Sequence, residues 1–276
     1  MTYSAEISRS NPMCFLFLID QSGSMAERWG VESDKSKAQG VADAINRLLQ
    51  TLVLRCSKGE YILDRYYIGV IAYGGELSLR FPSEALAGNL LQPVSVIGNN
   101  PLRVEDRVKV KDDGAGGLVE QRIKFQVWFE PKAQGQTPMC AALQLARGVI
   151  TDFVSQYPNC FPPIVINITD GGATDGQPGP MSDAIRAVAS HDGNVLLLNI
   201  HISANGEWPI LFPTQDGSLP DDFAKLLFSM SSPLPPTMLA QARKELASVE
   251  EGARGFAFNA DMVSVIRFLD IGTRVG

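Results

Sequence analysis

Five residues, in three stretches far apart along the chain, can together hold a hard cation. They are Asp20, Ser22 and Ser24 in Asp20-Gln21-Ser22-Gly23-Ser24-Met25, Thr137 in Gly135-Gln136-Thr137-Pro138-Met139, and Asp170 in Ile168-Thr169-Asp170-Gly171-Gly172. Two carboxylates and three hydroxyls form an oxygen set with no soft ligand. Such a set suits magnesium, manganese or calcium and excludes structural zinc, which takes Cys or His. His191 and His201 are the only histidines, which argues against an imidazole site. In Asp-x-Ser-x-Ser each second side chain can turn inward around a tight loop, whereas a plain turn at Gly23 needs only one hydroxyl. Taken alone the stretch could be such a turn, with Asp20 as a capping residue; the competing expectation rests on all five positions.

The elements around these residues decide where they sit. Cys14 to Ile19 is a short apolar run suited to a central strand covered on both faces, and it ends on Asp20. Val41, Ile45, Leu48, Leu49 and Leu52 recur at helical spacing, predicting an amphipathic helix that stops before Ser57-Lys58-Gly59. Tyr67 to Tyr73 predicts a second buried strand, with a short strand over Glu76 to Phe81 beside it. Leu143 to Phe153 predicts a helix opened by the Thr137 loop, and Ile164 to Thr169 predicts a strand ending on Asp170. Helix Met181 to Ser190, strand Val195 to Ser203, helix Asp222 to Met230 or onward to Leu246, strand Gly255 to Asn259 and a helix from Asp261 complete the series. Strand and helix alternate, which implies right-handed crossovers and a doubly wound, mostly parallel, Rossmann-like α/β sheet between two helical layers. In such sheets ligands collect at the carboxyl ends of strands whose connections run to opposite faces.

One stretch breaks the rhythm. From Leu90 to Pro131, Val104, Val108 and Val110 precede a turn-rich run, and Ile123, Phe125, Val127 and Phe129 then alternate with Arg122, Lys124, Gln126 and Trp128. The expectation is one domain over residues 1–276 with a β-hairpin inserted at about 90–131, too short a segment to build its own core. No internal repeat is visible.

Composition narrows the partners. The 276 residues are 45% hydrophobic and 20% charged, an ordinary globular balance with a sizeable core available. A net charge of -6 and no run of Lys and Arg argue against nucleic acid or an anionic membrane as partner. The polar N-terminus, the lack of any membrane-length apolar run and four scattered cysteines (Cys14, Cys56, Cys140, Cys160) predict a cytoplasmic protein with reduced thiols. Asn167-Ile168-Thr169 matches a glycosylation sequon but falls in a strand that reads as buried.

The order Asp20-x-Ser22-x-Ser24, Thr137, Asp170 resembles the metal-ion-dependent adhesion site of von Willebrand factor A domains, and the element order resembles that family from Cys14 to about Arg274. The resemblance implies a divalent ion, usually Mg2+ with Mn2+ or Ca2+ as alternatives. It implies that Ser22, Ser24 and Thr137 ligate the ion directly, that Asp20 and Asp170 act mostly through water, and that a partner's Asp or Glu completes the coordination. It also implies a binding module and not an enzyme. Within the family the chain looks most like cytosolic bacterial members of the tellurium-resistance-associated type, which implies a stress or conflict system and a partner such as an AAA+ ATPase or a kinase or phosphatase. Trp29, Arg28 and Trp128 are candidate partner contacts, because Trp and Arg are enriched in binding hot spots, with packing under the loops as the alternative for each of the two tryptophans; Trp208 is a weaker one.

Other readings fit less well. A haloacid-dehalogenase-type phosphatase also begins with a buried strand ending in Asp, but needs a second Asp two positions on, where this chain has Ser22. A serine hydrolase lacks its Gly-x-Ser-x-Gly elbow. The clusters Gly114 to Gly117 and Gly171-Gly172 match neither phosphate-binding nor dinucleotide fingerprints and read as turns.

Overall fold

The Cys14–Ile19 run forms a strand, β1 (Met13–Asp20), in which every residue is buried. A strand without a polar face has to be covered on both sides, and the sheet around it provides that cover. The computed structural model describes residues 2–29, 34–75, 77, 86, 89–112, 118–202 and 208–273.

After β1 come α1 (Lys37–Cys56), β2 (Tyr66–Tyr73), β3 (Leu91–Pro93) and α2 (Val94–Asn99). The hairpin β4 (Arg103–Asp112) and β5 (Leu118–Val127) follows. The chain then runs through α3 (Met139–Gln156), β6 (Ile164–Thr169), α4 (Gly179–Arg186), β7 (Leu196–His201), β8 (Ile210–Leu211), α5 (Asp222–Met230), α6 (Pro236–Glu245), β9 (Phe256–Phe258) and α7 (Met262–Thr273). Among the described residues seven strands make one sheet, in the order β8-β9-β7-β6-β1-β2-β3. The inner pairings are parallel. The edge strands β3 and β8 run antiparallel to β2 and β9.

Two helical layers bury the sheet. Phe15, Phe17 and Ile19 of β1 pack with α1, α2, α6 and α7, while Leu16 and Leu18 pack with α3, α4 and α5. Each such side chain removed from water contributes about 1.5–3 kcal/mol. α1 leaves β1 toward one layer and α4 leaves β6 toward the other. The neighbouring carboxyl ends of β1 and β6 therefore form a switch point, and Asp20 and Asp170 stand there.

The Leu90–Pro131 stretch divides differently from the expected insertion. Its first residues form β3, an edge strand of the main sheet, because Leu91, Gln92 and Pro93 find partners in Gly69, Ile68 and Tyr67. The hairpin proper pairs Arg103 with Val127 through to Asp112 with Leu118. The strand expected over Glu76 to Phe81 lies, apart from Leu77, outside the described residues. The alternative of a single helix from Asp222 to Leu246 is replaced by α5 and α6, separated by Ser231 to Pro235. No helix among the described residues is long and apolar enough to cross a membrane.

Candidate metal centre

The loop after β1 is built to keep its side chains turned in. Asp20 is 1% exposed and Ser22 3% exposed. The Ser22 N–H donates to Asp20 Oδ1 at 2.8 Å, and the Thr169 hydroxyl donates to Asp20 Oδ2 at 2.7 Å. Residues Gly23–Ala26 then form one 3-10 turn, which brings Ser24 back beside Ser22. The two hydroxyl oxygens are 3.1 Å apart, and Ser24 Oγ donates to Asp170 Oδ1 at 2.7 Å. With its single proton given to Asp170, Ser24 accepts from Ser22.

Thr137 is delivered by a loop laced to the first one. Gly23 N–H donates to Gly135 O at 3.0 Å, Gln134 N–H to Gln21 O at 2.7 Å, and Gly75 N–H to Gln134 O at 2.8 Å. Gly135 adopts φ +78°, and a Cβ there would lie 2.2 Å from Gly75 Cα, so only glycine permits this approach. Thr137 is also tied to the loop after β6: its N–H donates to Thr174 Oγ1 at 3.0 Å, and Thr174 N–H donates to Thr137 O at 2.9 Å. Asp175 accepts from the N–H groups of Cys140 and Ala141, fixing the start of α3. Three loops thus bring Asp20, Ser22, Ser24, Thr137 and Asp170 to one sheet edge.

The sequence reading passed over Lys37. Lys37 is 4% exposed, and its ammonium lies 2.8 Å from Asp170 Oδ2 and 2.7 Å from Glu27 Oε2. The available signal was Ser36-x-x-Gln39, a reciprocal cap that starts α1 at Lys37 and so places this side chain beside the end of β1. Burial by itself would lower the Lys37 ammonium, but its bonds to Asp170 and Glu27 outweigh that and leave it above the usual lysine range. Asp20 is raised above the usual carboxylate range, because burial outweighs the hydrogen bonds from Thr169 and Ser22 and the negative charge of Asp170 adds to the rise.

The donor chemistry fits a hard divalent ion. Adjacent ligands of an octahedral ion at about 2.0–2.1 Å stand about 3 Å apart. The spacings of 3.1 Å from Ser22 to Ser24 and 2.7 Å from Ser24 to Asp170 straddle that value. Among the described residues no group of three or more carboxylates, imidazoles or thiols could hold a metal, so an ion here depends on the hydroxyls.

The candidate partner contacts separate sharply. Trp128 is fully buried, its Nε1 donating to Ile97 O at 2.7 Å, and Trp29 is buried against Gly40 with its Nε1 donating to Ala260 O at 3.0 Å. Neither ring can reach a partner, which corrects the partner-contact expectation for both and leaves the packing alternative. Arg28 is exposed, and Trp208 is 91% exposed.

Among solved structures, the chain is similar over 96% of its length to 31% of the pilus adhesin SpaC from Lactobacillus rhamnosus GG, at 11% identity and a TM-score of 0.52. That likeness shows the fold alone. Two further overlaps are looser. One is with the vWF domain of the type V pili tip protein Mfa5 from Porphyromonas gingivalis, at TM-score 0.33 and 13% identity over 59% of this chain and 39% of that one. Another is with manganese-loaded TRAP from Plasmodium vivax, at TM-score 0.43 and 15% identity over 94% and 72%. The chain spans less than half the length of SpaC and of the Mfa5 structure. No protein-family model and no curated protein matches it.

Proposed function

We propose that this chain is a von Willebrand factor A-type binding module, whose carboxyl-edge cluster holds a divalent ion and offers it to an acidic residue of a protein partner. One observation carries the reading: Ser22 Oγ, Ser24 Oγ and Asp170 Oδ1 follow one another at spacings of 3.1 Å and 2.7 Å, beside the Thr137 loop. Ser22, Ser24 and Thr137 would hold the ion through neutral oxygens, and Asp20 and Asp170 would supply the negative charge around it. With few charged ligands the ion stays electrophilic and attracts a carboxylate from outside. Mg2+ is the expected ion, with Mn2+ and Ca2+ as substitutes.

The same geometry argues for binding without catalysis. An aspartyl nucleophile must reach its substrate, whereas Asp20 is 1% exposed and both of its oxygens are engaged by Ser22 and Thr169. We place the module in a bacterial cytoplasmic stress or conflict system, with a partner such as an AAA+ ATPase or a kinase or phosphatase. Calorimetric titration with Mn2+ and Mg2+, run beside Ser22→Ala/Ser24→Ala, tests the proposal. Binding by the parent and none by a folded double variant is expected; absence of binding by the parent refutes it.

A further inference from the structure

The candidate metal centre already contains a cation of its own. Lys37 stands at the first position of α1, 4% exposed, with Asp170 Oδ2 at 2.8 Å and Glu27 Oε2 at 2.7 Å. The Asp170 side chain is 0% exposed, and its other oxygen accepts from Ser24 at 2.7 Å. Both oxygens of this carboxylate are therefore engaged, one of them by a fixed positive charge. An ion seated against Ser24 would meet a carboxylate already neutralised, with the neutralising ammonium close by. Like charges a few ångströms apart repel strongly where water is excluded. Glu27 differs from Asp170 in being open to solvent: its side chain is 62% exposed, it follows directly on the turn that carries Ser24, and it holds the ammonium from outside.

From this geometry we infer that Lys37 is a tethered competitor of the divalent ion, sharing Asp170 with it and so setting how tightly the site holds metal. The inference rests on the reading of the cluster as a metal centre. Lys37 acts through Asp170 and is a positioning residue, not a ligand. Its removal has two linked consequences. The metal-free protein is left with a buried carboxylate lacking its counterion, which destabilises it. A divalent ion can then supply the missing charge without opposition, so metal both binds more tightly and restores stability.

The test compares the parent, Lys37→Gln and Lys37→Arg, with Mn2+ as probe. Affinity is read from the loss of the free-ion paramagnetic resonance signal, and the thermal midpoint is measured with and without the ion. Lys37→Gln should bind Mn2+ at least tenfold more tightly than the parent, melt lower without metal and recover most of the difference at saturating Mn2+. Lys37→Arg, which keeps the charge, should stay within a few-fold of the parent. A purely structural lysine would lower the midpoint of Lys37→Gln equally with and without Mn2+, and that result, or unchanged affinity, overturns the competitor role while leaving the metal centre standing. If Lys37→Gln folds only in Mn2+, the role is supported; if it folds in neither condition while Lys37→Arg behaves as the parent, the role is rejected. Failure of both the parent and Lys37→Gln to bind Mn2+ removes the metal centre and this inference together.

Discussion

Asn46 supports a sharp prediction, because one buried side chain holds the segment that leads to Thr137. It lies on α1, 1% exposed, with its Oδ1 accepting from the N–H groups of Trp128 at 2.8 Å and Phe129 at 2.9 Å, and its Nδ2 donating to Phe129 O at 2.9 Å. Asn46→Ala removes three hydrogen bonds and leaves two N–H groups and one carbonyl unpaired where the chain leaves the hairpin. At about 1–3 kcal/mol for each buried group left unpaired, and with partial access of water as the site relaxes, the loss should total about 3–5 kcal/mol. For a chain of this size that corresponds to a fall in melting temperature of about 10 °C. Urea unfolding followed by far-ultraviolet circular dichroism should show the midpoint moving while the slope stays constant. Asn46→Leu separates the two sources of loss, since it keeps the branched shape and leaves no cavity but makes none of the hydrogen bonds. It should be nearly as unstable as Asn46→Ala. If Asn46→Leu regains most of the stability, the cost is a cavity and the hydrogen-bond argument is wrong; a loss under about 1 kcal/mol in both variants refutes the clamp altogether.

Two further outcomes are expected. Burial pushes the His201 imidazole down to about 4, with the charges of Asp221 and Asp170 only partly opposing it. The unfolded chain then binds a proton that the folded one does not between about pH 6.5 and 4, so stability should fall as pH drops through that window. Asp20, raised by burial, contributes a slope of the opposite sign just above its ordinary value. Denaturant midpoints across this range should show a net fall that His201→Gln flattens; an unchanged slope in the variant counts against the assignment. Of the three tryptophans only Trp208 is open to water, at 91% exposure against 5% for Trp29 and 0% for Trp128. Trp208→Phe should shift emission to the blue, abolish most acrylamide quenching and leave the melting temperature unchanged, whereas persistent quenching would mean that a buried ring is less enclosed than the structure shows.

Different features of the chain had different legibility in sequence. β1 and β6 could be read because strands buried on both faces are written as unbroken apolar runs, and the Asp at each end marks where the apolar run stops, although both carboxylates are themselves buried. The expected alternation over Ile123 to Phe129 fails at its end: Val127, Trp128 and Phe129 are all buried, because the chain leaves the hairpin there and passes beneath α1 and α2. Period-two patterning describes a sheet face and cannot report a covering helix from elsewhere in the chain. Trp29 misled for a related reason, since its loop is polar on both sides while its ring fills the space that Gly40 leaves open, eleven positions on. β3 was hidden by its length of three residues, and its strand character comes from pairing with β2. Lys37 was hidden by distance, its buried partner lying 133 residues away.

The two carboxylates of the centre are alike in sequence and unlike in surroundings, and this difference bears on where an ion's charge matters most. Asp170 is neutralised by Lys37 at 2.8 Å, and Ser24 adds a neutral donor. Asp20, equally hidden from water, is held by the Ser22 N–H and the Thr169 hydroxyl, with no salt bridge to it among the described residues. Neutral donors offset only part of the desolvation of a carboxylate, which is why burial dominates at Asp20 and lifts its pKa. Asp20 is therefore the position from which a divalent ion would gain most electrostatically, even where water stands between them. Asp170 is instead the position at which the ion's gain is reduced by Lys37. Substituting the two should accordingly give unequal results: loss of the Asp20 charge weakens metal binding outright, whereas loss of the Asp170 charge also leaves Lys37 buried with only exposed Glu27 to pair it, so that stability suffers along with affinity.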